Sequence, residues 1–346
     1  MSDVTVRATA PLRISFVGGG TDFPHWYERH GGAVLSATID HFARVVLEPR
    51  RDEQVRIRDL RLEQLVEYHL DEQPTYDGVM DLPKAAIHRL GLDRGIDLDV
   101  RSDAPPGSGL GGSSAMVTAV VGALAAFAGL ALSPQEVARL SYAIEREDLG
   151  IAGGWQDQYA AAFGGFNLIE FSSRGAAITP VRLSEETISA LRQNLLLCYT
   201  GRVRTNLGLI DTQIRLFHEG REDTIQGMKQ LQAMAYEMRD ALESGDVDAL
   251  GPMLQEAYQS KKRMNPHIAE GTPIEQLFAA ARTEGAAGGK ICGAGGGGYL
   301  LLACRPEAQT DVRLRLESLG GQFADFDFTA RGVEAIAGDR TWRPAR

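Results

Sequence analysis

Asp103-Ala-Pro-Pro-Gly-Ser-Gly-Leu-Gly-Gly-Ser-Ser-Ala115 sets a double proline before a run of glycine and serine, and an apolar helical segment begins at once. A loop so poor in side chains exposes its backbone N–H groups. Where it opens a helix, the positive end of the helix dipole points the same way, and the two together hold phosphate. The residues Pro106, Gly107, Ser108, Gly109, Leu110, Gly111, Gly112, Ser113 and Ser114 therefore read as a nucleotide triphosphate loop. Gly107, Gly109 and Gly112 also satisfy G-x-G-x-x-G, but the acidic residue that a dinucleotide site wants about 20 positions later is missing, since Phe127 and its neighbours are apolar. A Walker loop is excluded because no Lys-Ser or Lys-Thr follows the glycines. A plain Gly-rich turn is the structural alternative.

The rest of the composition leaves room for such a site. The chain has 346 residues, 44% hydrophobic and 24% charged, which is ordinary for a globular protein of one or two domains, two being favoured. A net charge of −10 argues against a general nucleic-acid or anionic-membrane surface, so neither partner is expected. Cys198, Cys292 and Cys304 are odd in number and widely spaced, which opposes a disulfide framework and a zinc site. The seven histidines show no metal spacing. The N-terminus has no apolar signal core, and a reducing cytoplasm is the expected setting. Ala115–Leu132 is at about 18 residues borderline for a membrane span, and reads as a buried helix.

Strand and helix signals alternate in the first half. Val4–Ala8 and Arg13–Val17 read as strands, Val34–Ile39 and Ala43–Glu48 as a β pair, and Ile96–Val100 and Phe166–Phe171 as further strands. A helix is expected from about Ser113 to Gly129. Ser133-Pro134-Gln135-Glu136 reads as an N-cap, a Pro at N1 and a capping-box Glu that open a helix to about Leu149. The second half is more helical: Leu195–Tyr199 is a short strand, and Arg221–Ser244, Val247–Lys262 and Ile274–Glu284 carry helical patterns. The polar stretch Ser172–Glu186 marks the domain boundary, giving units of 1–186 and 187–346.

Two further motifs join the Gly-Ser loop: Ala10-Pro-Leu-Arg-Ile-Ser-Phe-Val-Gly-Gly-Gly-Thr-Asp22 and Lys290-Ile-Cys-Gly-Ala-Gly-Gly-Gly-Gly-Tyr299. In this order and spacing the three resemble the GHMP kinase superfamily, which has an A-P-x-R/K opening, a P-x-x-x-G-L-x-S-S-A loop and a C-terminal G-A-G-G-G-G. Gly18–Asp22, the loop itself and Glu145-Arg-Glu-Asp-Leu-Gly-Ile-Ala-Gly-Gly-Trp-Gln-Asp-Gln-Tyr159 resemble its heptose 7-phosphate kinase branch. The resemblance implies an α+β fold of two domains. The N-terminal one has β-α-β units around the loop, the C-terminal one is ferredoxin-like, and ATP and sugar meet between them. It implies an ATP- and Mg²⁺-dependent kinase acting on the anomeric hydroxyl of a heptose phosphate, as a monomer or homodimer. Another sugar 1-kinase of the superfamily, fucokinase- or galactokinase-like, or a non-catalytic sensor are the alternatives.

Residue roles follow from the same resemblance. Asp157 aligns with the base of the galactokinase Gly-x-x-Asp-Gln motif, and capping a Gly-rich turn is its alternative. Arg13 aligns with the basic residue of the first motif. Ser114 and Glu145 are the implied Mg²⁺ ligands, with Glu147 the near alternative. Gly18, Gly19, Gly20, Thr21 and Asp22, with Gly293, Ala294, Gly295 and Gly296, are the implied acceptor contacts. Gly19-Gly20 stands where galactokinases have Glu-His, which removes two bulky groups and puts galactose in doubt. A phosphate on the acceptor would need cations of its own, for which Arg202, Arg204 and Lys261-Lys262-Arg263 are candidates. Trp155 either walls the acceptor pocket or is a buried aromatic.

Overall fold

The computed structural model describes residues 4–203 and 208–345, the side chains of 202 and 203 excepted. In β1 (Val6–Val17) the residues Val6, Ala8, Ala10, Leu12, Ile14 and Phe16 all enter one core, as a period of two requires. The opposite face is buried from Pro11 onward, and Arg13 and Ser15 lie on it. β2 (Gly32–Pro49) pairs with β1 along most of its length. Each was expected to be two strands, and each is one. Between Pro11 and Leu12 the pairing shifts register past Asp40-His41, and a bulge bends a strand without ending it.

β2 is long enough to fork the sheet. Later in its course it pairs with β5 (Ile96–Ser102), and at its start with β6 (Phe166–Ser172). β3 (Gln54–Asp59) lies parallel to β5, β4 (Gln64–His69) forms the edge beyond β3, and β7 (Gly175–Pro180) extends β6. The chain's end returns to this sheet, where β12 (Glu334–Ala337) pairs with β1 and β13 (Arg340–Trp342) with β12.

α1 (Pro24–His30) and α2 (Asp81–Leu90) are short, whereas α3 (Gly112–Ala128) is apolar all round and correspondingly buried. Among the described residues no helix is long and apolar enough to cross a membrane. α4 (Pro134–Ala143) opens on the expected capping box: the Ser133 hydroxyl accepts from the Glu136 N–H, and the Glu136 carboxylate accepts from the Ser133 N–H. It does not continue as an α-helix to Leu149. It widens into a π-helical turn, Ile144–Asp148, a feature frequent at functional sites. α5 (Gln156–Phe163) follows.

The second half forms an antiparallel sheet in the order β11-β8-β10-β9, from β8 (Leu195–Val203), β9 (Gly288–Ile291), β10 (Gly297–Ala303) and β11 (Gln322–Ala324). α6 (Glu185–Asn194) leads into β8. Between β8 and β9 lie α7 (Leu209–His218), α8 (Glu222–Glu243), α9 (Leu250–Met264) and α10 (Ile274–Thr283). α11 (Pro306–Ser318) joins β10 to β11. This β-α-β-β-α-β connection is the ferredoxin-like one, so the α+β expectation holds. We propose 1–186 and 187–346 as the two units; the point of division falls between β7 and β8, and β12 and β13 cross back.

Candidate active site

One cavity of about 800 Å³ is lined by all three motifs. Its floor is the loop that links β5 to α3. Gly112, Ser113 and Ser114 open α3 there, so the free N–H groups of its first turn face the cavity. At Gly109 the backbone has φ +81°, and a Cβ would stand 2.6 Å from the carbonyl oxygen of Cys292. The third motif thus crosses the loop backbone to backbone, and the Tyr299 N–H donates to the Ser108 carbonyl at 3.0 Å.

Arg13 and Asp157 meet over this loop. The Arg13 Nε donates to Asp157 Oδ1 at 2.8 Å, and a second guanidinium nitrogen lies 2.7 Å from the same oxygen. The third nitrogen donates to the Gly109 carbonyl at 2.6 Å. Asp157 sits in the first turn of α5, where the helix dipole favours a carboxylate.

Glu145 approaches from the π-helical turn. Its two oxygens accept from Ser113 Oγ at 2.6 Å and Ser114 Oγ at 2.7 Å, and Gln158 Nε2 donates to it at 2.6 Å. Glu145 is buried, whereas Glu147 points outward to Arg89. Among the described residues no cluster of three His, Cys, Asp or Glu could hold a metal. A hard cation that keeps waters and takes phosphate oxygens needs only one or two protein oxygens. Ser114 and Glu145, both lining the cavity, fit that demand.

Asp22 lies near Asp157. Its carboxylate accepts from the Gly20 N–H at 2.9 Å and from the backbone and side chain of Gln156, each at 3.2 Å. Burial pushes its pKa above the ordinary carboxylate value; the Gly20 N–H works against that, and the nearby charge of Asp157 adds to it. Gly154 is required here, because a Cβ would stand 1.9 Å from Asp22 Oδ2.

Gly18, Gly19, Gly20, Gly293 and Ala294 also line the cavity. Thr21 does not: its hydroxyl donates to the carbonyls of Gly18 and Ala33, holding the turn closed. Leu110 is in the core, and Gly295 and Gly296 are buried behind the wall. Trp155 stacks on Tyr142, with ring centroids 3.8 Å apart, and does not line the cavity. Of the three neighbouring cations on α9, Lys261 faces the cavity, while Lys262 pairs with Glu275 and Arg263 with Glu256. The side chain of Arg202 and the whole of Arg204 lie outside the described residues. Sequence reasoning missed Gln158, Gln156 and Lys290. Gln158 stands next to Asp157 and Lys290 opens the third motif, so adjacency was the signal available for both.

The family GHMP kinases N terminal domain matches residues 79–165, and the family GHMP kinases C terminal matches residues 238–321. The chain is 34% identical over 337 residues to the D-glycero-alpha-D-manno-heptose 7-phosphate kinase of Campylobacter jejuni, covering 96% of this chain and 98% of that protein. It is 29% identical to the bifunctional fucokinase/GDP-fucose pyrophosphorylase of Arabidopsis thaliana over 93% of this chain but only 32% of that one. The solved structure of a D-glycero-D-manno-heptose 1-phosphate kinase from Bacteriodes thetaiotaomicron superposes with a TM-score of 0.80 at 30% identity, covering 96% of this chain and 98% of that one. With a glycine-serine loop opening α3 and an ion-paired carboxylate in one cavity, the chain belongs to the GHMP kinase family. It is a sugar kinase, a phosphotransferase with an alcohol group as acceptor.

Proposed function

We propose that this chain transfers the γ-phosphoryl group of ATP to the anomeric C1 hydroxyl of D-glycero-D-manno-heptose 7-phosphate, giving the 1,7-bisphosphate for nucleotide-activated heptose synthesis. It acts on these small molecules in the cytoplasm, as a monomer or homodimer. The observation that carries the reading is the Arg13–Asp157 pair, held against Gly109 of the phosphate loop and sharing one cavity with Asp22.

Phosphoryl transfer is mainly positioning and electrostatics. The loop amides from Gly107 to Ser114 hold the triphosphate. Ser114 and Glu145 would hold Mg²⁺, which when bound offsets the phosphate charge. Asp157 takes the proton of the C1 hydroxyl as its oxygen bonds to phosphorus, and the bond from phosphorus to the ADP oxygen breaks. Arg13 orients Asp157 through its paired nitrogens and faces the charge that develops. Asp22, with the backbone of Gly18–Gly20 and of Gly293–Ala294, receives the sugar hydroxyls.

The test is ADP release over a panel: D-glycero-D-manno-heptose 7-phosphate, the 1-phosphate, the free heptose, fucose and galactose, each with ATP and Mg²⁺. Highest kcat/KM for the 7-phosphate, with a 1,7-bisphosphate product by ³¹P NMR, supports the reading. Best turnover of fucose favours the second reading, a fucokinase-like enzyme, for which the 29% identity over 93% of the chain speaks. No turnover of any sugar leaves the non-catalytic sensor.

A further inference from the structure

Two lysines line the cavity, and both are buried: Lys261 on α9 is 7% exposed and Lys290 on β9 is 4% exposed. Among the described residues neither has a carboxylate at salt-bridge distance. Lys261 Nζ donates to the Gly293 carbonyl and Lys290 Nζ to the Ser15 carbonyl. An ammonium has three N–H donors, so each retains donors with no partner assigned. Ser15, whose carbonyl Lys290 holds, also has its Oγ buried without a partner. Desolvation, together with the other cations, lowers Lys261 to about 7 and Lys290 to about 8. A buried cation without a counter-ion is costly, and an arriving anion removes that cost.

Their place in the cavity says which anion. A Cβ on Gly19 would stand 3.6 Å from Ser15 Oγ, and one on Gly20 would stand 2.9 Å from the sulfur of Met264, one turn beyond Lys261. Lys261 also feels the charges of Asp22 and Arg13. The lysines therefore lie along the Gly19–Gly20–Asp22 wall, with Lys261 also next to Gly109 of the loop through Gly293, whereas Ser113, Ser114 and Glu145 cluster at the opening of α3.

We propose that Lys261 and Lys290, with Ser15 Oγ, clamp the phosphate the acceptor already carries, and that Gly19 and Gly20 leave the space through which that end of the sugar reaches them. This rests on the acceptor being a sugar phosphate, as argued above.

Steady-state kinetics with D-glycero-D-manno-heptose 7-phosphate and with the free heptose test it in the wild type, Lys261→Met and Lys290→Met. The KM for the heptose phosphate rises roughly 10- to 100-fold in each variant, the range expected on losing a hydrogen bond to a charged group. The KM for ATP moves far less, and the preference for phosphorylated over free sugar shrinks by the same factor. Without nucleotide, heptose 7-phosphate raises the melting temperature of the wild type, and much of that shift is lost in the variants. Lys261→Arg, which keeps the charge, retains part of the preference. An unchanged preference ratio in a folded variant, or a loss confined to the KM for ATP, overturns the clamp alone. A wild type indifferent to the phosphate overturns both the clamp and the acceptor on which it rests. Should Lys261→Met fail to fold by circular dichroism, Lys290→Met gives the same readings.

Discussion

Asp157 Oδ1 lies within 2.8 Å of two nitrogens of Arg13, and the third nitrogen of that guanidinium holds the Gly109 carbonyl. One planar fork thus ties the carboxylate to the loop. Arg suits this position because its donors are fixed relative to one another. A shift of the loop is felt at Asp157 through a single rigid group.

Asp157→Asn removes the proton acceptor and keeps the shape. The expected result is a fall in kcat of roughly 10²–10⁴, the usual worth of a general base. ATP affinity by calorimetry changes little, since the loop amides are untouched. Near-normal turnover would remove Asp157 from the reaction.

Glu145→Gln keeps the side chain's shape but removes the charge and turns one of its two acceptor oxygens into a donor. Titrating Mg²⁺ against initial rate should show a requirement raised about 10- to 100-fold, typical for a disturbed metal site. Glu147→Gln, which alters only a surface contact with Arg89, should leave that curve in place. The opposite pattern would exchange the two glutamates.

Gly154→Ala places a methyl 1.9 Å from Asp22 Oδ2. The carboxylate must leave its N–H partners at Gly20 and Gln156. The acceptor KM should rise well above any change in the ATP KM, with a stability loss of about 1–3 kcal/mol, the cost of overpacking. Equal effects on both substrates would show that the change spreads beyond the acceptor side.

The ligand-free protein should grow more stable as pH rises from 7 toward 8.5. Lys261 is lowered to about 7 and Lys290 to about 8 by burial, while in the unfolded chain both titrate near 10.4. Across this window the unfolded state binds more protons, so unfolding free energy increases with pH, at most about 1.4 kcal/mol per pH unit for each lysine. Cys292, raised by burial, acts oppositely only as the unfolded thiol ionises near 8.5–9. Chemical denaturation at pH 7.0 and 8.5 measures this, and Lys261→Met should flatten the slope. An unchanged or steeper slope in that variant would count against a lowered pKa at Lys261.

Much of the site was legible from residues near one another in the chain. The Gly-Ser loop, the capping box at Ser133 and the alternation of β1 are local demands of the backbone, and local demands leave local patterns. The continuity of β1 and β2 was less legible, because Pro11 and Asp40-His41 look like breaks, and only pairing shows that the strands bend through them.

The order of three glycine motifs was enough to define the family and the α+β architecture, and it marked the stretches that approach one another backbone to backbone, since only glycine permits those close contacts. Folding in three dimensions settled which of two nearby glutamates faces Ser113 and Ser114, which of three adjacent cations on α9 turns inward, and that Lys290 joins it from β9. The reason is physical: Ser15, Lys261 and Lys290 are brought together by the packing of β1, α9 and β9, and no pattern within one segment encodes what another segment will place opposite it.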